Sequence, residues 1–346
     1  MKLGVGLPEV PRGSTQHRPS RGSIFFHRMN QTLNDSQTPA LDPSSHQTLG
    51  HGVAYWVLSA LTLLACVFGV AGNGLVVRLL SCRVRRTPCT VYVLHLALAD
   101  LLFLLCMASL LSLEASRVVA PPLAYEVLRR VKYFAYTAGL SLLTAISTLR
   151  CVSVLHPVWH LAAPVPALSS RVCAALWALS LVMNTLAALF CGRYWSSDEN
   201  QCFAVDAVLS VLILGIFTPL MTVSSATLCV QVRRTSRRWR RQPTRLYVVI
   251  LASVLVFLVC ALPLGLYWFL LYWLHLRPQV VLLYSGLSRL SSAVSSGANP
   301  VIYFLVGSRP AGPREPLEAV LRRALEEAPE LEGRETPSVY TNEEGV

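Results

Sequence analysis

Seven long apolar runs alternate with short polar segments along the chain. Each run is long enough to cross about 30 Å of hydrocarbon, which takes roughly 20 helical residues. Residues 207–232 and 246–276 contain no charged side chain, so a helix formed there has no polar face for water. The pattern predicts an all-α membrane protein with seven transmembrane helices, and it lacks the alternation of an outer-membrane barrel. The predicted spans are residues 53–80, 90–113, 131–155, 171–190, 206–232, 246–275 and 280–306.

The composition agrees with a membrane protein rather than with a soluble domain. Hydrophobic residues make up 53% of the chain and charged residues 14%, whereas an ordinary soluble protein is about 25% charged. The net charge of +12 would suggest a nucleic-acid partner in a soluble protein, but here the arginines cluster in the connections 83–86 and 233–245. Such connections are cytoplasmic by the positive-inside rule and contact membrane lipids. We therefore expect a plasma-membrane protein with an extracellular N-terminus, and no nucleic acid.

The two ends of the chain have a different character from the predicted seven-helix domain at residues 51–306. Residues 1–50 are rich in Pro, Ser, Thr and Gln and predict a disordered extracellular tail. This tail contains glycosylation acceptors at Asn30 and Asn34, in Asn30-Gln31-Thr32 and Asn34-Asp35-Ser36. Residues 307–346 predict a cytoplasmic tail in which 317–327 form a short amphipathic helix.

Cysteine placement predicts one disulfide. Eight of the ten cysteines fall in spans or beside them on the predicted cytoplasmic side, whereas Cys191 and Cys202 face the oxidising exterior. A bridge between these two would tie the outer ends of the fourth and fifth helices together, and two free thiols are the alternative. No zinc-like spacing of Cys and His occurs, and we expect neither a metal nor a cofactor.

A few polar residues lie inside the apolar spans, where they are costly and therefore candidates for function. Asp100 is in the middle of the second span, Arg150 near the inner end of the third and Arg289 in the outer half of the seventh. The seventh span also contains the run Asn299-Pro300-Val301-Ile302-Tyr303. Pro300 removes a backbone hydrogen bond. A loosened helix with interior polar groups suits a protein that switches between two packings, and a static kink is the alternative.

Taken in order, these features resemble the rhodopsin-like G-protein-coupled receptors. The matching residues are Gly72-Asn73, Asp100, Arg150, Trp177, Pro219, Pro263 and the run from Asn299 to Tyr303. The resemblance implies a receptor for an extracellular ligand that activates heterotrimeric G proteins. It also implies that Arg150, Asp100, Asn299, Pro300 and Tyr303 take part in activation.

Finer motifs resemble the Mas-related subfamily. They are Thr148-Leu149-Arg150-Cys151-Val152-Ser153-Val154-Leu155, Cys260-Ala261-Leu262-Pro263 and Ser295-Ser296-Gly297-Ala298-Asn299-Pro300. This resemblance implies G proteins of the q and i classes and expression in sensory neurons. Two departures from the rhodopsin-like pattern stand out: Leu149 replaces the acid before Arg150, and Ala261 replaces an aromatic residue two positions before Pro263.

Three further runs resemble the member of the subfamily that responds to β-alanine and similar small amino acids. They are Tyr133-Phe134-Ala135-Tyr136-Thr137, Arg240-Arg241-Gln242-Pro243-Thr244-Arg245 and Ser288-Arg289-Leu290-Ser291-Ser292. In that member the chain would start at a position matching Met29, so residues 1–28 are interpreted as an upstream extension.

The same resemblance implies a ligand site at the outer ends of the helices. Arg130 would bind the carboxylate of a zwitterion and Asp206 its ammonium group. Tyr133, Trp268 and Tyr272 would supply aromatic faces around the ligand. The alternatives are that these charges are solvated or pair with one another, and that the ligand is a peptide or an amine.

Other functions for a seven-helix protein fit the sequence less well. A retinal protein needs a lysine in its last helix, and the only lysines are Lys2 and Lys132. A secondary transporter, here one for small amino acids, favours inverted repeats, and the two halves show no internal similarity. An intramembrane enzyme needs a nucleophile with its base or a metal cluster in the spans, and His95 stands alone there. We expect a receptor and not an enzyme.

Overall fold

The protein consists of helices throughout the residues that its computed structural model describes, which are 45–82, 87–116, 122–155, 166–191, 215–239, 245–273, 278–308 and 315–325. For some stretches, including residues 191 and 261–273, the description covers the backbone alone. No strand occurs in these ranges, in agreement with the predicted all-α class. The helices are α1 (Ser45–Cys82), α2 (Pro88–Ser116), α3 (Pro122–Leu155), α4 (Pro166–Cys191), α5 (Thr218–Trp239), α6 (Arg245–Trp273), α7 (Pro278–Gly307) and α8 (Leu317–Leu325).

Three helices begin a turn or more earlier than the apolar runs predicted, and one of them is α4, which begins at Pro166 rather than near residue 171. α1 begins at Ser45, so residues 45–50 of the predicted disordered tail are helical. α3 begins at Pro122 rather than near residue 131, because proline is well suited to the first helical position, where no N–H is needed. The added turns carry polar side chains, so the apolar pattern did not predict them. Residues 206–214, predicted to open the fifth span, lie outside the described residues.

The helices form a closed ring with α3 in a central position. Each of the pairs α1–α2, α2–α3, α3–α4, α3–α5, α5–α6 and α6–α7 is in contact, and α7 closes the ring against α1. α3 contacts α2, α4, α5 and α6. α3 therefore packs against more of the bundle than a helix with two neighbours would, which suits a helix that carries candidate ligand and switch residues at its two ends.

The outside of the ring is apolar. Large hydrophobic side chains such as Phe68, Val259 and Leu305 are 76%, 66% and 72% exposed. Soluble proteins rarely expose apolar surface of this extent to water. Within the described residues, the helical stretches Gly52–Cys82, Pro88–Ser116 and Leu123–Ser153 are long and apolar enough to cross a membrane, and Arg245–Cys260 is a shorter apolar stretch. These helices present apolar side chains on the outside, as transmembrane helices do, and pack against one another on the inside.

α1 and α7 approach each other through glycine and proline. A Cβ atom added to Gly69 would lie 2.6 Å from Cδ1 of Leu104 and 3.1 Å from Cα of Gly297, and one added to Gly72 would lie 3.0 Å from Pro300. Small residues let helices pack closely in lipid, where no hydrophobic effect drives them together. The close contact brings the polar groups of α1 and α7 within hydrogen-bonding distance.

α8 packs against α6 and α7. It spans Leu317–Leu325 within the predicted 317–327 and buries Val320, Leu321, Ala324 and Leu325. α7 ends at Gly307, where an added Cβ would collide with the carbonyl oxygen of Val320. The chain can therefore turn from α7 to α8 only with the smallest residue at this position.

We predict that Gly69→Ala destabilises the protein by about 1–3 kcal/mol, the usual cost of overpacking. The matched control is Gly74→Ala in the same helix, where an added Cβ meets no atom within 4 Å. Alanine there should stabilise the protein slightly, by about 0.5–1 kcal/mol. Thermal unfolding of the two purified variants in detergent measures the difference. Equal melting temperatures would contradict the close α1–α7 contact.

Candidate functional site

We call the end of the bundle that holds Glu114, Glu126 and Arg289 the outer end, and the end that holds Arg150, Arg245 and α8 the inner end. The names follow the orientation predicted from the sequence.

The centre of the bundle contains a hydrogen-bonded carboxylate. Asp100 of α2 is 6% exposed and accepts a hydrogen bond of 2.8 Å from Nδ2 of Asn299 in α7. Asn73 of α1 is fully buried and donates from Nδ2 to the backbone oxygens of Ser296 (3.1 Å) and Gly69 (3.0 Å). The predicted polar residues of α1, α2 and α7 are thus brought together, and they join the three helices by polar contacts.

A second polar cluster lies at the outer end around Glu114 of α2. Its Oε2 accepts hydrogen bonds from Nη1 of Arg289 in α7 (2.8 Å) and from the hydroxyl of Tyr55 in α1 (3.2 Å). Its Oε1 accepts one from the hydroxyl of Tyr125 in α3 (3.1 Å). Arg289 also donates to the hydroxyl of Tyr55 (3.2 Å). A single carboxylate therefore connects α1, α2, α3 and α7.

The first turns of α3 carry the predicted carboxylate-binding residue. Arg130 contacts Oε1 of Glu126 through Nε (3.2 Å) and Nη2 (3.1 Å), and Arg129 donates to the same oxygen from Nη2 (2.6 Å). The ammonium group of Lys132 lies 4.3 Å from the ring centroid of Tyr133, a cation–π distance. Arg130 and Tyr133 are thus neighbours on one helix end, in a cationic environment.

The structure places the other predicted ligand residues only in part. Trp268 and Tyr272 lie in the last turns of α6, and since α6 runs from Arg245 at the inner end, its last turns reach the outer end. Their side chains, and all of Asp206, are outside the described residues. Cys191 is the last residue of α4, and its side chain, Cys202, Asn30 and Asn34 are likewise outside.

The remaining cysteines agree with the sequence. The eight with described side chains are thiols rather than disulfides. Among the described residues, no group of three or more His, Cys, Asp or Glu side chains is arranged to hold a metal ion.

The inner end combines a buried arginine with a tie between helices. Arg150 of α3 is 9% exposed, whereas the adjacent Leu149 is 42% exposed and offers no charge to it. Arg245, the first residue of α6, donates to the backbone oxygen of Gly307 (3.0 Å). Arg323 of α8 donates to that oxygen (3.1 Å) and to Glu315 (2.6 Å). The start of α6 is thereby tied to the junction of α7 and α8.

Beside this tie lies a small apolar pocket lined by residues of five helices. Its walls come from α2, α3, α6, α7 and α8, and they include Ile146, Leu246, Tyr303 and Leu325. Tyr303 is 2% exposed. The predicted activation residues of α7 thus connect the central carboxylate, bound by Asn299, to the inner pocket, lined by Tyr303.

Sequence reasoning missed Glu114, Glu126 and Tyr55. Each lies near the outer end of an apolar run, where polar residues are common and do not by themselves indicate a functional role. One signal was available: Arg289 lies in the outer half of the seventh span, where a cation is costly, and an acid at the same level of another helix is a natural partner for it. The sequence did not indicate which acid would meet it.

We predict that Glu114 and Arg289 are energetically coupled. The side chain of Glu114 is 27% exposed and that of Arg289 is 24% exposed. Because solvent screens the pair, we expect a coupling energy of about 1–2 kcal/mol in a double-mutant cycle of Glu114→Gln and Arg289→Gln. The control cycle is Glu318→Gln with Arg322→Gln on α8, an i,i+4 pair whose arginine is 52% exposed. That pair should couple by about 0.5 kcal/mol or less. Unfolding of the purified variants measures both values, and equal coupling would contradict the assigned role of Glu114.

Comparison with known proteins identifies the family. A family model described as 7 transmembrane receptor (rhodopsin family) matches residues 72–303. The chain is 56% identical over 323 residues to the Mas-related G-protein coupled receptor member D of Homo sapiens, covering 92% of this chain and 100% of the relative. It is 55% identical over 320 residues to member D of Macaca fascicularis, with the same coverage.

A more distant relative supports the same assignment. The Mas-related G-protein coupled receptor member X1 of Homo sapiens is 40% identical over 278 residues, which cover 80% of this chain and 85% of the relative. The resemblance inferred from the motifs is confirmed, and with it the seven-helix fold. The chain belongs to the Mas-related G-protein coupled receptors of the rhodopsin family and is therefore a multi-pass plasma-membrane receptor that acts through G proteins, not an enzyme.

Proposed function

We propose that this receptor responds to β-alanine or a similar small zwitterionic amino acid and activates G proteins of the q and i classes, in sensory neurons. The ligand arrives from the extracellular side, where the N-terminal tail is glycosylated at Asn30 and Asn34. A disulfide between Cys191 and Cys202 holds the outer ends of α4 and α5 together. Residues 1–28 are an upstream extension without a role in signalling.

The observation that carries this proposal is the position of Arg130. It lies at the outer end of α3, one turn from Tyr133 and 24% exposed, so its guanidinium is accessible to a small ligand without being fully hydrated. An arginine in such surroundings binds a carboxylate strongly because the hydrogen bonds are charge-assisted. Asp206 at the start of the fifth span binds the ammonium group. Trp268 and Tyr272 of α6 cover the ligand with aromatic faces.

Signal transmission uses the polar residues between the two ends. Asp100 and Asn299 join α2 to α7 at the centre, and Pro300 lies in α7 beside that contact. Tyr303 lines the inner pocket that is also bounded by α6. A ligand that shifts the outer end of α6 or α7 can therefore change the inner pocket, where Arg150 and the basic connection 233–245 contact the G protein and membrane lipids.

Two other functions remain as comparisons for experiment. A secondary transporter of small amino acids would move β-alanine across the membrane and would not stimulate a G protein. A Mas-related receptor for a peptide or an amine would signal without a response to β-alanine. The charged pair of Arg130 and Asp206 favours a ligand with both charges on a short chain.

We predict that Arg130→Gln and Asp206→Asn each raise the EC50 for β-alanine by at least tenfold, since a charge-assisted contact contributes about 1.5–3 kcal/mol. Calcium and cAMP responses of cells with matched surface expression measure the effect. Arg171→Gln, at an exposed position of α4, is the control and should leave the EC50 unchanged. Full responses in both Arg130→Gln and Asp206→Asn would contradict the assigned ligand site.

We also predict elevated signalling without ligand, because Leu149 offers no carboxylate to Arg150. Leu149→Asp supplies that partner, and an ion pair of about 1 kcal/mol in the resting state should lower basal inositol phosphate production about fivefold. Leu149→Asn has a similar shape to Asp but no charge and should lower it much less. Equal basal activity in the wild type and Leu149→Asp, at matched surface expression, would count against this role.

A further inference from the structure

One oxygen of Glu126 serves both arginines at the outer end of α3. Oε1 of Glu126 lies 2.6 Å from Nη2 of Arg129 and 3.1 Å from Nη2 of Arg130. The side chains are 22%, 30% and 24% exposed for Glu126, Arg129 and Arg130, so each can reach solvent without being fully hydrated. The residue proposed to bind the carboxylate of a ligand thus already contacts a carboxylate of the protein itself.

The two arginines lie on different sides of α3. Phe134, one turn below Arg130, packs against Trp177 of α4 with ring centroids 5.3 Å apart. Tyr136, two turns below Arg129, packs against Phe103 of α2 with centroids 5.6 Å apart. Since residues four or seven apart share a helix face, Arg130 lies on the α4 side and Arg129 on the α2 side. Glu126 is positioned between them.

The two contacts of Glu126 differ in strength. The shorter one, to Arg129, is a close charge-assisted hydrogen bond, and those to Arg130 are longer. If a second carboxylate reaches Arg130, Glu126 keeps its partner on the other side and no charge is left unpaired. Arg130 is therefore the member of the trio that can exchange partners at low cost.

The other acid described at the outer end is already engaged with partners of its own. Among the described side chains of the outer end, the second carboxylate is that of Glu114, which already accepts from Tyr55, Tyr125 and Arg289. Among the side chains that the structure describes, Glu126 is therefore the acid that contacts Arg130.

We propose that Glu126 is an internal carboxylate that occupies Arg130 in the absence of ligand, and that a ligand binds by displacing it from Arg130 while Arg129 retains it. Glu126 then sets the sensitivity of the receptor: only a ligand whose own acid group replaces this contact gains full affinity. The inference rests on the proposed function, because it takes Arg130 as the site of the ligand carboxylate.

The test uses three variants of the full-length receptor in cells, with surface expression measured alongside β-alanine dose–response curves. Glu126→Gln removes the competing charge and should lower the EC50 three- to tenfold with an unchanged maximal response, as expected for a partly exposed ion pair of about 1 kcal/mol. Arg129→Gln releases Glu126 to pair with Arg130 alone and should raise the EC50 by a similar factor. The Glu126→Gln/Arg129→Gln double variant should have the same EC50 as Glu126→Gln, since Arg129 affects Arg130 only through Glu126.

The control is Glu318→Gln on α8, which breaks another i,i+4 pair with an arginine and should leave the EC50 unchanged. An EC50 that is unchanged or raised in Glu126→Gln would overturn the inference, because Glu126 would then be inert or would position Arg130 for the ligand. If Arg130→Gln loses the response to β-alanine and the EC50 of Glu126→Gln is unchanged or raised, the proposed function is supported and only the inference about Glu126 is contradicted. If Arg130→Gln or the Arg130→Gln/Glu126→Gln double variant responds fully, the ligand assignment falls and the inference with it.

Discussion

The hydrogen bond between Asp100 and Asn299 is the contact on which the rest of the bundle depends. The outside of the helices is apolar, and a lipid bilayer offers no water to a buried carboxylate. Such a group must therefore find its hydrogen-bond partners on other helices. Asn299 of α7 provides one at 2.8 Å. That partner is within reach because α7 packs directly against α2, and the close approach of Gly69 and Gly297 likewise lets Asn73 of α1 reach the backbone oxygen of Ser296. Polar satisfaction and close helix packing therefore require each other.

The two ends of the bundle are held by different means. At the outer end, Glu114 gathers side chains from α1, α3 and α7 around α2, so these four helices form a common frame. At the inner end, the start of α6 is held by the buried side chains of Leu246 and Val249 and by the hydrogen bond from Arg245 to the backbone oxygen of Gly307. That hydrogen bond involves a single arginine, whereas Glu114 joins three helices to α2. In our account, ligand binding at the outer end changes the packing of the inner end.

Much of the fold could be predicted from the sequence because membrane helices are apolar on all sides. The runs at 246–275 and 280–306 predicted α6 and α7 to within a turn. The start of α3 could not be found this way, since Glu126, Arg129 and Arg130 resemble loop residues until the helix is seen to begin at Pro122. Of the site, the family motifs gave Asp100 and Asn299 as activation residues, and the structure shows the hydrogen bond between them. Glu114 was not predictable, because its partners are Tyr55 and Arg289, 59 and 175 positions away in the chain.

The central claim is that a small zwitterion bound at the outer end of α3 activates a G protein at the inner end. The most direct measurement is nucleotide exchange on purified q- and i-class heterotrimers, reconstituted with the purified receptor in lipid nanodiscs. β-Alanine should accelerate exchange in the wild type in a dose-dependent way, and the Arg130→Gln receptor should require a much higher concentration. If β-alanine leaves exchange on both heterotrimers at the ligand-free rate with a folded receptor, the central claim is contradicted.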